Sequence, residues 1–396
     1  MRVLMYSLDK QFFEPGGDAR NRMIEYGKLV ERLDIIAFTP LEKIPNNTIT
    51  TRSSWKFLTG RAKEKFKPEQ IAENVWIYPT NSWHKLFYIC DGIRLGKKII
   101  KENNCNLVIT QEPYITGLAG YCLVKRSKIK LLVSVYGNNI FDPHWLAEAP
   151  RHRLFKFIGQ RVFKRADAIQ TDGDETVEEL KKRYGEKVFW KPIIPSNIED
   201  FKTEKEKTSL PIKILFVGRL VRQKNLPLLM EVLEQLSKTA ATGNVAVTII
   251  GDGPLKDYLL TEIEKRKLNK LITYIPRASR SEILNIFKEH HILVLTSIYE
   301  GFAKVFMEAA AAGLPIVTTQ VSGVANIIKD SESGYVLPQN DANGIVEKLT
   351  ELIDNPELLK SFSQKIRADF TVNYSLQTTI EEQKKIFNFL YELGNG

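Results

Sequence analysis

The sequence predicts an α/β protein with two parallel, doubly wound sheets in two domains, and three observations predict it. The chain has 396 residues, which exceeds one ordinary hydrophobic core. Short apolar strands alternate with amphipathic helices through both halves, a pattern typical of parallel sheets covered by helices. A polar stretch at 202–211, KTEKEKTSLP, has no apolar periodicity and ends in proline, so it is predicted to be a linker.

The predicted elements follow the apolar runs in chain order. First-half strands are predicted at 2–7, 34–39, 75–78, 107–110, 131–135 and 167–170, with helices notably at 18–32 and 85–103. Second-half strands are predicted at 213–218, 245–251, 272–275, 292–297 and 315–319, with helices at 225–238, 254–267, 279–289, 303–312 and 342–353. The predicted domains are therefore 1–201 and 212–375, with residues 376–396 as a C-terminal helix.

Composition and charge narrow the class of protein. Hydrophobic residues make up 43% and charged residues 26%, as in globular proteins, and no apolar run approaches the ~20 residues of a membrane-spanning helix. The first residues meet charge too early for a secretory leader, and three cysteines without a CxxC pair fit a reducing compartment. We therefore expect a cytoplasmic location.

The positive charge is concentrated in the first half. The net charge is +10, and residues 1–200 contain 33 Lys and Arg against 24 Asp and Glu. Such a field favours anionic partners such as phosphates or acidic lipid headgroups, although it also serves solubility. No helix-turn-helix, zinc or RNP pattern supports nucleic acid as a partner.

Basic residues follow the first strand of the second half. Gly218 at the strand end lets a ligand approach the backbone, Arg219 offers a planar fork of donors, and Lys224 offers a mobile point charge. This pair suits a diphosphate, although an ordinary basic surface loop has the same composition. The next strand ends in the turn 251–254, GDGP, which is no GxGxxG and argues against a two-domain dehydrogenase.

Two carboxylates flank the start of a predicted buried helix. Glu300 follows the strand at 292–297, and Glu308 lies among apolar residues in the run 299–308, YEGFAKVFME. Backbone N–H groups at 302–305 suit a phosphate or a developing oxyanion, and the two carboxylates suit hydroxyls of a sugar and a ribose. Helix-dipole compensation explains Glu300 alone but leaves Glu308 unexplained.

These motifs resemble one family of enzymes. GRLVRQKNL, GDGPL and EGFAKVFMEAAAAGLPIV, with a Glu-x7-Glu arrangement, look like the donor domain of the GT-B retaining glycosyltransferases, family 4. Segments at 15–17, 134–139 and 166–185 extend a weaker similarity into the first half. The resemblance implies two Rossmann-like domains facing across a cleft, with acceptor contacts in the first, the nucleotide sugar in the second, and the last helix crossing back onto the first.

The resemblance also implies roles for particular residues. Arg219 and Lys224 would neutralise the diphosphate without a metal, and Glu300 would contact sugar hydroxyls; these three are the expected catalytic residues. Tyr136, where the family often has histidine, would lie on the acceptor side with Gly137 and Asn138. The expected donor-binding residues are Gly16, Gly17, Gly218, Arg219, Lys224, Arg277, Glu300, Gly301, Phe302, Ala303, Lys304, Val305 and Glu308.

The expected reaction is transfer of a sugar, with retention, from a nucleotide sugar to a saccharide or lipid-linked saccharide in surface polysaccharide or glycolipid synthesis. A UDP-sugar is favoured as donor and GDP-mannose comes next; no cofactor or metal is expected. An epimerase of the same fold, or a soluble small-molecule acceptor, remains an alternative. Because His290 and His291 are adjacent and no DxD triplet follows an apolar strand, the sequence contains no metal-ligand spacing; Asp172-Gly173-Asp174 is expected to cap a helix.

Two basic-aromatic segments lie in the first half. Residues 54–67 have no clean period, whereas residues 151–165 place Leu154, Phe155, Ile158, Val162 and Phe163 on one helical stripe. Either segment could lie on an anionic membrane surface, although the second also fits a helix packed on the core with a solvated basic back. Peripheral association with the inner face of the plasma membrane is therefore an expectation.

Overall fold

The computed structural model describes most of the chain. It covers residues 1–396 except 10, 16, 41, 44–62, 65–66, 85–86, 137–139, 142, 193, 195–197, 204–209, 240–243, 301–303, 322–323, 325–326 and 396.

The first half forms a mainly parallel eight-stranded sheet. Its strands run in the order β10-β9-β8-β7-β1-β2-β6-β5, and only β5 is antiparallel to its neighbour. In the part of the first half that the structure describes, the strands are β1 Arg2–Ser7, β2 Arg32–Ala37, β3 Glu42–Lys43, β4 Lys63–Glu64, β5 Glu69–Ala72, β6 Val75–Pro79, β7 Leu107–Thr110, β8 Lys130–Val135, β9 Ala168–Thr171 and β10 Val188–Trp190. The helices are α1 Asp18–Gly27, α2 Tyr88–Asn103, α3 Ile115–Val124, α4 Pro143–Glu148, α5 Pro150–Arg165 and α6 Asp174–Tyr184.

The second half forms a six-stranded sheet in the order β13-β12-β11-β14-β15-β16, with every pairing parallel. Its strands are β11 Ile212–Val217, β12 Val245–Ile250, β13 Ile272–Ile275, β14 Ile292–Leu295, β15 Ile316–Thr319 and β16 Gly334–Leu337. Its helices are α7 Leu226–Leu236, α8 Lys256–Lys265, α9 Arg280–Glu289, α10 Lys304–Ala311, α11 Ala342–Asp354, α12 Pro356–Asn373 and α13 Leu376–Asn395.

The last helix packs on the first sheet. Ile386, Phe387 and Leu390 of α13 share a core with strand residues such as Val3 and Met5. The Thr379 hydroxyl donates to the backbone carbonyl of Pro192 at 3.4 Å. One face of the first sheet is therefore covered jointly by α1 and α13. A cavity lies between these two helices and the sheet.

The predicted fold class is confirmed: the architecture is α/β with two parallel sheets. Strand ends differ from prediction by one or two residues, and the helix expected at 18–32 ends at Gly27. A Cβ at that glycine would lie 2.3 Å from Val75 Cγ2, so the chain there passes too close to β6 for a longer side chain. The domain limits stay a prediction.

Some elements differ from what the apolar pattern predicts. Helix α3 was missed because it is buried and apolar on several faces, which removes the amphipathic period. Leu154, expected in the buried stripe of α5, is 57% exposed, while Val162 and Phe163 are buried as expected. The triplet Asp172-Gly173-Asp174 opens α6 as expected, with Gly173 as the N-cap and Asp174 as the first helical residue.

Candidate active site

The carboxyl ends of two adjacent strands bring Lys224 and Glu300 together. Lys224 follows β11 and Glu300 follows β14, and these strands are neighbours in the second sheet. The Lys224 ammonium donates to Glu300 Oε1, although the residues are 76 positions apart in the chain. Their side chains are only 11% and 7% exposed, so this is a buried ion pair, and the lysine is not the mobile charge that its sequence predicted.

Every described hydrogen-bond partner of the Glu300 carboxylate is a donor. The Ser297 hydroxyl donates to Oε1 at 2.5 Å, and the Gln223 amide donates to Oε2 at 3.3 Å. The same Gln223 amide donates to the Tyr299 carbonyl at 2.9 Å. The carboxylate is therefore held in one orientation between two strand ends.

The loop after β14 is fixed from several sides. The Gln339 amide donates to the carbonyls of Ser297 and Gln320, and the Thr319 hydroxyl donates to the Ser297 carbonyl at 2.6 Å. The Thr296 hydroxyl donates to the Lys224 carbonyl at 3.0 Å. Because these bonds tie β11, β14 and β15 together, the positions of Lys224 and Glu300 are set by the sheet.

Glycines allow the close packing beneath the lysine. A Cβ at Gly218 would lie 2.9 Å from Lys224 Cε, and a Cβ at Gly251 would lie 1.9 Å from the Gly218 carbonyl oxygen. Side chains at either position would force the backbone or the lysine to move. The predicted approach at Gly218 is thus occupied by the lysine stem itself.

The other predicted cations lie at the surface. Arg219 is exposed, and its guanidinium has no ion-pair partner among the described residues. The Arg277 side chain is 86% exposed and pairs with Asp252 Oδ2 at 3.2 Å. Of the three predicted catalytic residues, the structure joins Lys224 and Glu300 directly and leaves Arg219 available to a ligand.

The remaining donor-side residues lie around α10. Lys304 begins α10 and is exposed, Val305 and Glu308 are half-buried, and Phe306 and Met307 are buried as the sequence predicts. Gly17 directly precedes α1 as its N-cap. The predicted residues Gly16, Gly301, Phe302, Ala303, Gly137 and Asn138 lie outside the described residues.

A second polar site lies under α1 and α13 in the first half. Tyr136 lines it together with Lys191, Gln170, Ser134 and Gln383. Burial lowers the pKa of Lys191 to about 8. Sequence reasoning missed this site, although a lysine inside the apolar run VFWKPII at 188–194 indicates an unusual environment.

Two features are absent from the described residues. No group of three or more His, Cys, Asp or Glu side chains there is arranged to hold a metal ion. No helix there is both long and apolar enough to cross a membrane.

Two doubly wound parallel sheets, one with a buried cation–carboxylate pair at the carboxyl ends of its strands, define an α/β protein with a charged pair where such folds bind ligands. Residues 197–369 match the family model for glycosyl transferases group 1. An uncharacterised glycosyltransferase of Haemophilus influenzae is 30% identical over 330 residues, which cover 80% of this chain and 86% of that protein. The chain therefore belongs to the group 1 glycosyl transferases and is a glycosyltransferase.

Solved structures support the fold over nearly the whole chain. Sucrose-phosphate synthase from Thermosynechococcus elongatus superposes with a TM-score of 0.78 at 14% identity, covering 99% of this chain and 100% of that one. Anabaena HepE in complex with UDP gives a TM-score of 0.72 at 14% identity, covering 98% of this chain and 100% of that one. The fold is thus GT-B, as the resemblance implied.

Proposed function

We propose that this glycosyltransferase moves a sugar from a nucleotide-sugar donor to a saccharide or lipid-linked saccharide, with a UDP-sugar as the first candidate donor and GDP-mannose as the second. The bond from the anomeric carbon to the diphosphate oxygen breaks, and a bond to the acceptor hydroxyl oxygen forms. The hydroxyl proton leaves to the diphosphate or to solvent. The observation that carries the proposal is the buried Lys224–Glu300 pair beside the exposed Arg219.

The proposed nucleotide-sugar site uses the N–H groups of Lys224 and Arg219 that make no hydrogen bond to described residues. An ammonium has three N–H donors, and Lys224 directs one of them to Glu300, so others can meet phosphate oxygens. Arg219 adds a planar fork that matches a diphosphate. A cation held in place before substrate arrives stabilises the leaving diphosphate without reorganisation.

Glu300 and Glu308 supply the acceptors for hydroxyl groups in this proposal. Glu300 is oriented by Ser297 and Gln223, so its free lone pairs have a defined direction toward sugar hydroxyls. Glu308, half-buried on α10, would take the ribose hydroxyls. HepE, one of the structural neighbours, was solved with UDP, which supports a uridine nucleotide as the first ligand to test.

The test compares binding of UDP and uridine by calorimetry in Arg219→Ala and Lys224→Ala variants. Each substitution should weaken UDP binding by about 10- to 100-fold, since losing a charge-assisted contact costs roughly 1.5–3 kcal/mol. Uridine binding should change far less, because it has no diphosphate. Lys213→Ala is the matched control, since Lys213 lies at the opposite end of β11 and pairs with Glu289. Equal losses for UDP and uridine would contradict the assignment.

Metal independence is part of the proposal. Arg219 and Lys224 supply the positive charge that a divalent ion supplies in other transferases. Turnover of the nucleotide sugar should therefore persist in excess EDTA. Loss of activity on chelation, restored by Mg²⁺ or Mn²⁺, would refute this part.

The proposal also includes retention of configuration at the anomeric carbon of the transferred sugar. The sequence has no evident pair of opposed carboxylates to act as nucleophile and acid, so attack from the leaving-group face is expected. An α-linked donor should give an α-linked product, which the anomeric proton coupling in NMR reports. A β-linked product would overturn it.

We place the enzyme in the cytoplasm, peripherally bound to the inner membrane face through its first half. Leu154 and Phe157 of α5 are 57% and 52% exposed, and the Arg161 guanidinium lies 4.4 Å from the Phe157 ring centroid. Exposed apolar side chains beside arginines suit an anionic interface. The basic-aromatic segment at 54–67 lies largely outside the described residues.

Liposome co-sedimentation tests this location. Binding should rise with anionic lipid, fall as salt rises, and drop when Arg153 and Arg161 are changed to Gln. It should also drop when Lys56, Arg61, Lys63 and Lys65 are neutralised together. Lys181→Gln with Lys182→Gln on α6 removes the same charge from another exposed helix and is the control. Equally weak binding to anionic and neutral liposomes at low salt would point to a soluble acceptor.

A further inference from the structure

A cavity of about 60 Å³ lies between the first sheet and the helices α1 and α13. It extends to the carboxyl ends of β7 and β8, where Gln111 and Tyr136 line it. One buried water needs roughly 10–15 Å³ on this scale, so the cavity has room for several waters or one compact charged group. Carboxyl ends of parallel strands are where α/β proteins bind ligands.

The cavity contains a buried cation without a counter-ion. Lys191 is 3% exposed and makes no hydrogen bond or ion pair with any residue that the structure describes. Its Nζ lies 4.5 Å from the centroid of the Tyr26 ring. Burial is the main cause that lowers the pKa of Lys191, and the nearby Arg22 lowers it further, whereas Tyr136 opposes this. Lys191 thus carries a positive charge into the interior that no described side chain neutralises by an ion pair.

Lys187, in contrast, has an ammonium group that is hydrogen-bonded within the protein. Lys187 is half-buried, and its Nζ donates to the backbone carbonyls of Phe163 at 3.0 Å and Ala166 at 2.7 Å. Those bonds tie β10 to the end of α5. Lys191, four residues on, has no such structural bond, so its charge has no role in holding these elements together.

Two glutamine atoms in the cavity wall also lack partners. Gln170 Oε1 and Gln383 Nε2 are buried with no hydrogen bond, on side chains that are 3% and 2% exposed. The other end of the Gln170 amide is used, since its Nε2 donates to the Ser134 hydroxyl at 2.8 Å. The residues that carry this acceptor, this amide donor and the Lys191 ammonium all line the same cavity.

We propose that this cavity binds an oxyanion, a phosphate or a carboxylate, carried by a hydroxylated ligand. Lys191 and the Gln383 amide hold the oxyanion, and Gln170 Oε1 accepts from an adjacent hydroxyl. Resting on the proposed function, we assign this group to the glycosyl acceptor, which is then an acidic or phosphorylated saccharide.

Energetics favours a ligand role over a structural one. A buried, unpaired ammonium is destabilising, and an apolar side chain of similar length would fill the space without a desolvated charge. An arriving oxyanion would supply the missing charge and would gain from the low dielectric around it. The ligand-free protein thus contains a cation whose partner is expected from outside the chain.

The experiment measures binding to the full chain by calorimetry and thermal shift. The probes are glucose 6-phosphate, glucuronate, inorganic phosphate and neutral glucose, each at up to millimolar concentrations. The variants are Lys191→Met, Gln383→Leu and the control Lys187→Met. UDP is titrated in parallel as a measure of the donor site.

At least one anionic sugar should bind the wild-type protein more tightly than glucose. Lys191→Met should weaken that binding by about tenfold or more, and Gln383→Leu should weaken it less, because a charge-assisted bond is stronger than a neutral one. Lys187→Met should leave the affinity unchanged if the variant folds. Preference for the phosphate or the carboxylate sugar identifies the natural oxyanion.

Three results would overturn the proposal: no anionic probe binds, glucose binds as well as the acids, or Lys191→Met retains full affinity. UDP binding that is normal in the same samples shows that the donor site stands while this inference fails. If the wild-type protein binds an anionic sugar as expected but does not bind UDP, the proposed function is refuted and the oxyanion site stands.

Discussion

The two halves of the molecule each bury a lysine near the carboxyl ends of a parallel sheet, and they compensate its charge differently. Lys224 in the second half is paired with Glu300. Lys191 in the first half has a tyrosine ring and two unpartnered glutamine atoms around it, and no carboxylate is among the described residues that line its cavity. The charge of Lys224 is thus neutralised within the fold, whereas the charge of Lys191 is proposed to be neutralised by a ligand.

Removal of Lys224 and removal of Lys191 should also have different consequences. Breaking a buried ion pair leaves its partner uncompensated and destabilises the protein, whereas removing an unpaired buried charge relieves a cost. Stability and ligand binding should therefore move together at one site and in opposite directions at the other. The predictions below test this contrast, beginning with the largest effect.

Glu300→Ala should have the largest effect on stability. It leaves the Lys224 ammonium buried without its carboxylate and removes the acceptor used by Ser297 and Gln223. We expect a loss of roughly 3–5 kcal/mol in the free energy of unfolding, measured by denaturant titration. The double variant Lys224→Met with Glu300→Leu should recover most of that loss. Equal stability of Glu300→Ala and wild type would show that the pair is not a structural unit.

Lys191→Met should stabilise the ligand-free protein and change its pH dependence. The pKa of about 8 in the folded state compares with about 10.4 unfolded, a difference that corresponds to roughly 3 kcal/mol at most. Below pH 8 both states bind the proton, so the penalty is complete. Between about pH 8 and 10.4 only the unfolded chain still binds it, so the free energy of unfolding should rise with pH.

This rise should be absent in Lys191→Met, as chemical denaturation at several pH values will show. Among the described residues that line the cavity, the charged or titratable groups besides Lys191 are Arg22 and Tyr26 of α1 and Tyr136 after β8, while α13 contributes the neutral Gln383. Lys187→Met, which loses three hydrogen bonds to backbone carbonyls, should lower stability instead. A destabilised Lys191→Met variant would place Lys191 in the same structural class as Lys224.

Gly218→Ala should perturb the paired lysine from below. Its Cβ would lie 2.9 Å from Lys224 Cε, so the lysine stem must shift, which disturbs its contact with Glu300. We expect about 1–3 kcal/mol of destabilisation and weaker UDP binding, measured by thermal denaturation and calorimetry. Unchanged values for both would mean that Lys224 has room to adjust.

Arg277→Ala should have the smallest effect. Its ion pair with Asp252 is at the surface, and such pairs contribute about 0–1 kcal/mol. Stability should remain within that range in a denaturant titration. A loss of UDP affinity in this variant would support the predicted donor role of Arg277, whereas unchanged affinity would remove Arg277 from the donor site.

The proximity of Lys224 and Glu300 could be predicted because both residues lie in local motifs. Lys224 follows β11 and Glu300 follows β14, and the rule about strand carboxyl ends places such residues at the same edge of the sheet. Their supports, Gln223, Ser297 and Gln339, carry no pattern of their own. Amides and hydroxyls are common in loops, and only the folded chain shows which carbonyl or carboxylate they reach.

The first-half cavity could not be predicted, because its wall comes from distant parts of the chain. Arg22 and Gln383 lie at opposite ends of the sequence and meet only because α13 packs on the first sheet. The sequence by itself determined the fold class, which strands of the second half are followed by charged residues, and the family resemblance. Periodicity and motif spacing are local properties of the chain, so they can be read without the fold. The tertiary structure alone decided which buried lysine has a carboxylate, because charge compensation depends on side chains brought together across the fold.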